Sequence, residues 1–175
     1  MKNVLAAIQR HITKHSDLYI YTIISATILA GIFFYRFDKK PEFPIAILAA
    51  GISISFGLRQ YRIENDKIFK ELFLLYNDKF DKKFNNCLNA IEKKTNENPD
   101  YQLLECEQAL VIDYLNLCAE EYLWYLKGRI DPLAWSSWEN GMKYYLNIRS
   151  IKKHIENEKP QKDSYYGFFE KFKIL

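Results

Sequence analysis

The sequence predicts an all-α chain, with an N-terminal transmembrane helix or helical hairpin followed by a helical bundle. Three observations carry this expectation. Two long uncharged apolar runs lie near the N-terminus, at residues 18–35 and 43–58. Beyond them apolar residues recur every three or four positions, with no alternating strand pattern and no internal repeat. The excess of positive charge is confined to the apolar end: the chain carries 25 Lys and Arg against 22 Asp and Glu, a net +3. Residues 1–58 hold six bases and three acids, which accounts for all of that +3 and leaves 59–175 neutral. With 6 Gly, 5 Pro, 27% charged and 16% aromatic residues in 175, a disordered tail, a collagen-like chain and a turn-rich β fold are excluded. The mean hydropathy of −0.29 averages two different materials.

Residues 1–17 read as an amphipathic segment at a membrane surface. Val4, Ile8 and Ile12 share one helical face, and Lys2, Arg10 and Lys14 lie away from it. Residues 18–35 are 18 positions without a charge, bounded by Asp17 and Arg36. At about 1.5 Å per residue they span roughly 27 Å, close to a bilayer's hydrocarbon core. Tyr19, Tyr21 and Tyr35 flank the run as an aromatic belt would. The run is longer than the apolar region of a signal peptide and no small-x-small cleavage site follows it, so it reads as a retained anchor.

Residues 43–58 give 16 uncharged positions, a span once Tyr61 and a snorkelling Arg59 extend them. The connection 36–42 is short enough for a hairpin; a single span with a buried or re-entrant second helix is the alternative. Three bases precede the first run, three lie in the connection, and Arg59, Arg62, Lys67 and Lys70 follow the second. A hairpin therefore places both ends in the cytoplasm, whereas with one span the count ties. Thr22, Ala26 and Ala30 align on the first run, and Ala46, Ala50, Ser53 and Gly57 on the second. Such stripes allow close helix approach in lipid, between subunits of a ring or between the arms of one hairpin. Neither run holds an ionisable residue, which disfavours a transporter.

Residues 59–175 read as a cytosolic helical domain. No Pro or Gly interrupts 58–98, where Phe69, Leu72, Tyr76, Phe80, Phe84, Leu88 and Ile91 form one apolar stripe. The cluster from Asn96 to Asp100 ends that helix. A second helix is expected over 101–127, stopped by Gly128. Asp131 is an N-cap with Pro132 at the first helical position of a third. Residues 149–158 and 164–175 give the last two. Cys106 and Cys118 share a helix, about 18 Å apart, too far for a disulfide. Cys87, Cys106 and Cys118 read as buried thiols in a reducing compartment. Residues 99–126 carry six acids and no base, and 127–175 ten bases against six acids; most of these charges read as a solvated face, with attraction between the two parts, within or between subunits, as the alternative.

Chemistry-bearing motifs are few. There is no H-E-x-x-H, no thiolate cluster, no phosphate-cradling Gly-rich loop and no Ser/His/Asp set, so neither metal nor cofactor is expected. Glu120 and Glu121 diverge on a helix and cannot serve one substrate atom. Arg149 and His154 fit R-x4-H, the pattern of HEPN ribonucleases, in which a His moves a proton at a ribose hydroxyl and an Arg holds phosphate charge. A second match runs from Arg10 to His15, and position 150 is Ser where that pattern has Asn, Asp or His. The pair therefore reads as helix-surface or subunit-contact residues ahead of catalytic ones. The run Lys152, Lys153, Lys159 and Lys162 sits in a neutral domain, which is a poor footprint for RNA.

Several pieces together resemble a known family. They are Asn116-Leu-Cys-Ala-Glu-Glu-Tyr-Leu-Trp-Tyr125, Gly128, Trp135-x-x-Trp138 with Gly141-Met142, Arg149-x4-His154, and Ser164-Tyr-Tyr-Gly-Phe168, behind two apolar segments. The combination resembles the small membrane accessory proteins of type VI-B CRISPR systems. The resemblance implies a bacterial inner-membrane protein forming a ring-like pore of eight subunits, which strengthens defence by depolarising the membrane after a partner RNA-guided RNase cuts viral transcripts. Of that family's HEPN-like motif, only Arg149 and His154 carry over. A membrane-anchored, metal-independent ribonuclease is the alternative.

Overall fold

The computed structural model describes residues 2–38, 40–158 and 164–172, and among the described residues every element is helical and there is no β-strand. Two units divide between Ile68 and Phe69, ten residues later than the expected boundary at Leu58, inside a helix and not at its end.

The first unit holds α1 (Lys2–Lys14), α2 (Ser16–Asp38) and the 42–68 stretch of α3 (Glu42–Lys79). α2 has 23 residues, about 34 Å of helix, enough to cross a bilayer core of ~30 Å. Both α2 and α3 are long and apolar enough for a span, and α2 includes 18–35 while α3 includes 43–58. The expected connection 36–42 shrinks to residues 39–41, because helix continues through Asp38; Lys39 lies outside the described residues. The two arms meet where side chains are small. A Cβ on Gly51 would collide with Thr27, and one on Gly31 would lie 3.8 Å from Pro44. At the other end the Arg62 guanidinium donates to Asp17 at 2.6 Å and to the buried Ser16 hydroxyl at 3.2 Å. α1 packs through Ala6, Gln9 and Thr13: Gln9 donates to Asn65 at 3.3 Å, and Asn65 to Thr13 at 3.4 Å. Its apolar face is turned outward, with Val4 and Ile8 exposed.

The second unit, Phe69–Leu175, holds the 69–79 stretch of α3, a π-helical turn (Phe80–Phe84), α4 (Asn85–Glu97), α5 (Glu105–Leu126), α6 (Pro132–Leu146), α7 (Arg149–Glu158), a 3-10 turn (Ser164–Gly167) and α8 (Phe168–Phe172). The π turn follows from the apolar spacing. Leu72, Tyr76, Phe80, Phe84 and Leu88 are four apart, and each such step drifts about 40° on a 3.6-residue helix. One wider turn, closed by Asn85 N–H on the Phe80 carbonyl, takes up the drift and keeps Tyr76, Phe84, Leu88 and Ile91 in the core.

α5 begins at Glu105 instead of 101. Glu107 accepts the Leu104 N–H at 2.9 Å, the Tyr101 hydroxyl at 2.7 Å and Lys94 at 2.8 Å, which holds 101–104 extended. Burial pushes the Glu107 carboxyl up, but Lys94, the Leu104 N–H and the Tyr101 hydroxyl outweigh it and leave it below its ordinary value. The helix stops in a Schellman motif: Gly128 has φ 74°, Gly128 N–H bonds Tyr125 O at 2.9 Å, and Arg129 N–H bonds Trp124 O at 3.0 Å. Asp131 caps α6 by accepting the Leu133 N–H at 2.7 Å, as expected.

Three further expectations change. Only Cys118 is buried; Cys87 and Cys106 are exposed, because they sit on the outer faces of α4 and α5. The acids of 99–126 pair with lysines of 79–94, through Lys79–Glu120, Lys83–Asp113 and Lys94–Glu107, because α5 packs back on that helix; Asp100 reaches the C-terminal part, at Arg149. The expected helix 164–175 is broken at its start, where Tyr165 and Tyr166 take φ of 57° and 59° ahead of Gly167 at 81°. Residues 173–175 lie outside the described residues, as do Lys159 and Lys162.

Candidate functional site

The sequence nominates Arg149 and His154, and both fall on α7. Ile151 and Ile155 are fully buried and fix which face of α7 meets the core. His154 follows Arg149 by five positions, which turns them about 140° apart and about 7.5 Å along the axis. The two side chains therefore leave the helix in different directions, and one chain does not bring them together.

Arg149 points into water. Its side chain is 68% exposed and pairs with Asp100 at 3.7 Å, a solvated contact worth little. It borders an open depression of about 610 Å³ with Asn96, Asn140, Lys143 and Asn147. Glu92, in the same depression, accepts the Tyr144 hydroxyl. Lys143 is held by Glu139 at 2.8 Å. This surface offers cations and amides to an anion, but His154 is not part of it. His154 is partly buried beside Ile151 and Ile155.

Ser150 explains why the pattern departs from the HEPN form. It is 5% exposed, and its hydroxyl lies 2.7 Å from that of Thr95. Thr95 donates its own proton to Ile91 O at 2.8 Å, so Ser150 is the donor of the pair. The position joins α7 to α4 through that buried hydroxyl pair. The second R-x4-H match is no better placed: His15 follows α1, with its ring 4.6 Å from His11. Among the described residues no group of His, Cys, Asp and Glu is placed to hold a metal ion.

The other pieces of the resemblance pack together. Trp135 stacks on Tyr125 with centroids 4.6 Å apart and lies against Tyr122 at 5.6 Å; Tyr122 in turn meets Phe168 edge-on. Trp138 stacks on Phe73 at 5.6 Å and meets Tyr76 edge-on. Of these, Trp135, Tyr76 and Phe168 are buried in the core, and the rest lie at its margin.

Sequence reasoning passed over Glu121. Glu120 faces outward to Lys79 at 3.9 Å, whereas Glu121 is 7% exposed on the face of α5 that carries Tyr114 and Cys118. Burial first, and the neighbouring Glu120 second, push its carboxyl up to about 8. Burial likewise raises the Tyr114 and Tyr76 phenols and the Cys118 thiol, all near the same carboxyl. The signal was present: Glu121 occupies an apolar-stripe position three and seven residues after Cys118 and Tyr114.

The small-residue stripes also resolve. Ala46, Ala50, Ser53 and Gly57 are exposed on α3, as are Thr22 and Ala26 on α2. The hairpin contact uses Thr27, Gly31 and Gly51, so the expected stripes face away from it. Comparisons with family models, with curated proteins and with solved structures find no match to this chain.

Proposed function

We propose that this chain is a self-associating membrane protein that assembles a pore-like homo-oligomer in a bacterial inner membrane, with its helical domain on the cytoplasmic side. One observation carries the reading: two helices long enough for a span form a hairpin whose small-residue stripe, Ala46, Ala50, Ser53 and Gly57, is left outside the hairpin contact. In lipid such a face favours close approach of another helix. The role follows the sequence resemblance: an accessory to type VI-B RNA-guided antiviral defence that depolarises the membrane once the partner nuclease is active, in a ring of about eight subunits. Direct RNA binding is not part of this reading, since residues 59–175 are neutral.

The test is membrane potential. Cells carrying the chain, the nuclease and a matching guide should lose potential, read by a voltage-sensitive dye, only when target RNA is present. The protein purified in mild detergent should run as a single large oligomer. A monomer in detergent together with an unchanged potential during the response would sink the proposal. Cleavage of RNA by the purified protein, lost on His154→Ala, would instead favour the anchored ribonuclease.

A further inference from the structure

A groove in the first unit, open and of about 740 Å³, lies between the start of α2 and the 52–66 stretch of α3. Its two ends differ in chemistry. Ile20, Ile24, Ile52 and Phe56 line one end, and Asp17, Arg59, Arg62 and Asp66 the other. On α3, Ile52, Phe56, Arg59 and Asp66 share one helical face, three, four or seven residues apart. From Ile52 to Arg62 is about 15 Å of helix, half the ~30 Å bilayer core and so the depth of one leaflet. Arg59 directly follows the last residue of the apolar run.

The two arginines are in different states. Arg62 is occupied by Asp17 at 2.6 Å, by the Ser16 hydroxyl at 3.2 Å and by Asp66 at 3.9 Å. Arg59 lines the same groove and makes no ion pair among the described residues. The pairings Asp17–Arg62 and Thr27–Gly51 set the register of the hairpin. Interpolating between them brings Tyr21, another lining residue, level with residues 57–59. A planar guanidinium with five donors and a phenolic hydroxyl therefore stand at one depth, above an apolar slot.

We propose that this groove binds a glycerophospholipid, its phosphodiester held by Arg59 and Tyr21 and an acyl chain laid along Ile20, Ile24, Ile52 and Phe56. An unpaired guanidinium at the boundary of hydrocarbon selects a phosphate, and the slot below it selects a molecule that also carries a chain. Neither an ion nor a neutral lipid satisfies both ends. The proposal rests on the membrane reading above, and the two fail differently. A chain released from membranes by alkaline washing would defeat the membrane reading. A chain that stays in the membrane but shows no phosphate preference would defeat only the lipid site.

The full chain in detergent is melted alone and with dilauroylphosphatidylglycerol, with dilauroylglycerol, or with inorganic phosphate. The phospholipid should raise the midpoint by about 2–4 °C, and the other two should not. Arg59→Gln should melt like the parent without lipid, since Arg59 makes no ion pair among the described residues, and should lose the phospholipid increment. Equal shifts with dilauroylglycerol would reduce the site to an apolar surface, and a shift with phosphate alone would make it an anion site; either overturns the proposal. So does an Arg59→Gln chain that keeps the phospholipid increment.

Discussion

Burying a carboxyl among phenols and a thiol, with no ion pair to it among the described residues, leaves protonation as the means of avoiding a stranded charge, and Glu121 takes it. Its value rises from 4.5 to about 8 on folding. A raised folded value means the associated stability is complete below about pH 4.5, where both states are protonated, and is lost as pH rises through about 8. The slope reaches at most about 1.4 kcal/mol per pH unit. Glu121→Gln should flatten the pH dependence of unfolding between 5 and 8, measured by denaturant titration at a series of pH values; an unchanged slope would assign it to another group. Ser150 makes a second prediction. Ser150→Ala removes one buried hydrogen bond and should cost about 1 kcal/mol, whereas Ser150→Asn crowds the α4–α7 contact and should cost about 1–3 kcal/mol. Neither should cleave RNA; cleavage by the Asn variant would revive the nuclease reading. The role of Ser150 was not legible in the sequence, because a Ser inside a motif looks like a surface residue until the helix face is known, whereas the apolar-stripe position of Glu121 was there to be read.

Among the elements, the hairpin arms separate two kinds of glycine. At Gly51 any side chain collides with Thr27, while at Gly57 nothing lies within 4 Å of an added Cβ. Gly51→Leu should destabilise the hairpin by about 1–3 kcal/mol, seen as a lower detergent-denaturant midpoint. Gly57→Leu should leave that midpoint unchanged or higher, since a helical glycine is replaced, and should dissociate the oligomer on a sizing column. An oligomer that survives Gly57→Leu would remove that stripe from the interface. The sequence indicated the caps well: Asp131 with Pro132 and Gly128 act locally, through bonds a few residues long. It misplaced the start of α5 because Lys94, eleven positions before that helix begins, helps fix Glu107 at its first turn. It also missed the break at Tyr165 and Tyr166, since left-handed tyrosines have no periodic signature.

For the molecule as a whole, the charge partition was the most readable feature, and the proposed orientation rests on it. Residues 1–58 hold the whole +3, and in the proposed hairpin the bases on the side of both chain ends outnumber those in the connection. Cys87 and Cys106 are exposed and Cys118 is buried, and all three thiols are free. A membrane-impermeant maleimide should therefore label two thiols per chain in inside-out inner-membrane vesicles and none in right-side-out ones. The opposite pattern would turn the domain outward. The candidate site was less readable than the fold: on a helix a spacing of five turns the two ends of R-x4-H about 140° apart, and the packing of Ile151 and Ile155 shows which face of α7 meets the core.

A π-helical turn is an α-helix carrying one surplus residue, so Phe80–Phe84 is where this chain can be shortened. Excising the exposed Lys82 would leave Phe80, Phe84, Leu88 and Ile91 spaced three, four and three apart on an ordinary helix, still facing the same neighbours. The same excision a turn earlier or later would swing every following side chain by about 100°. Length differences among descendants of this sequence are expected to gather at that turn and to spare the rest of the helix.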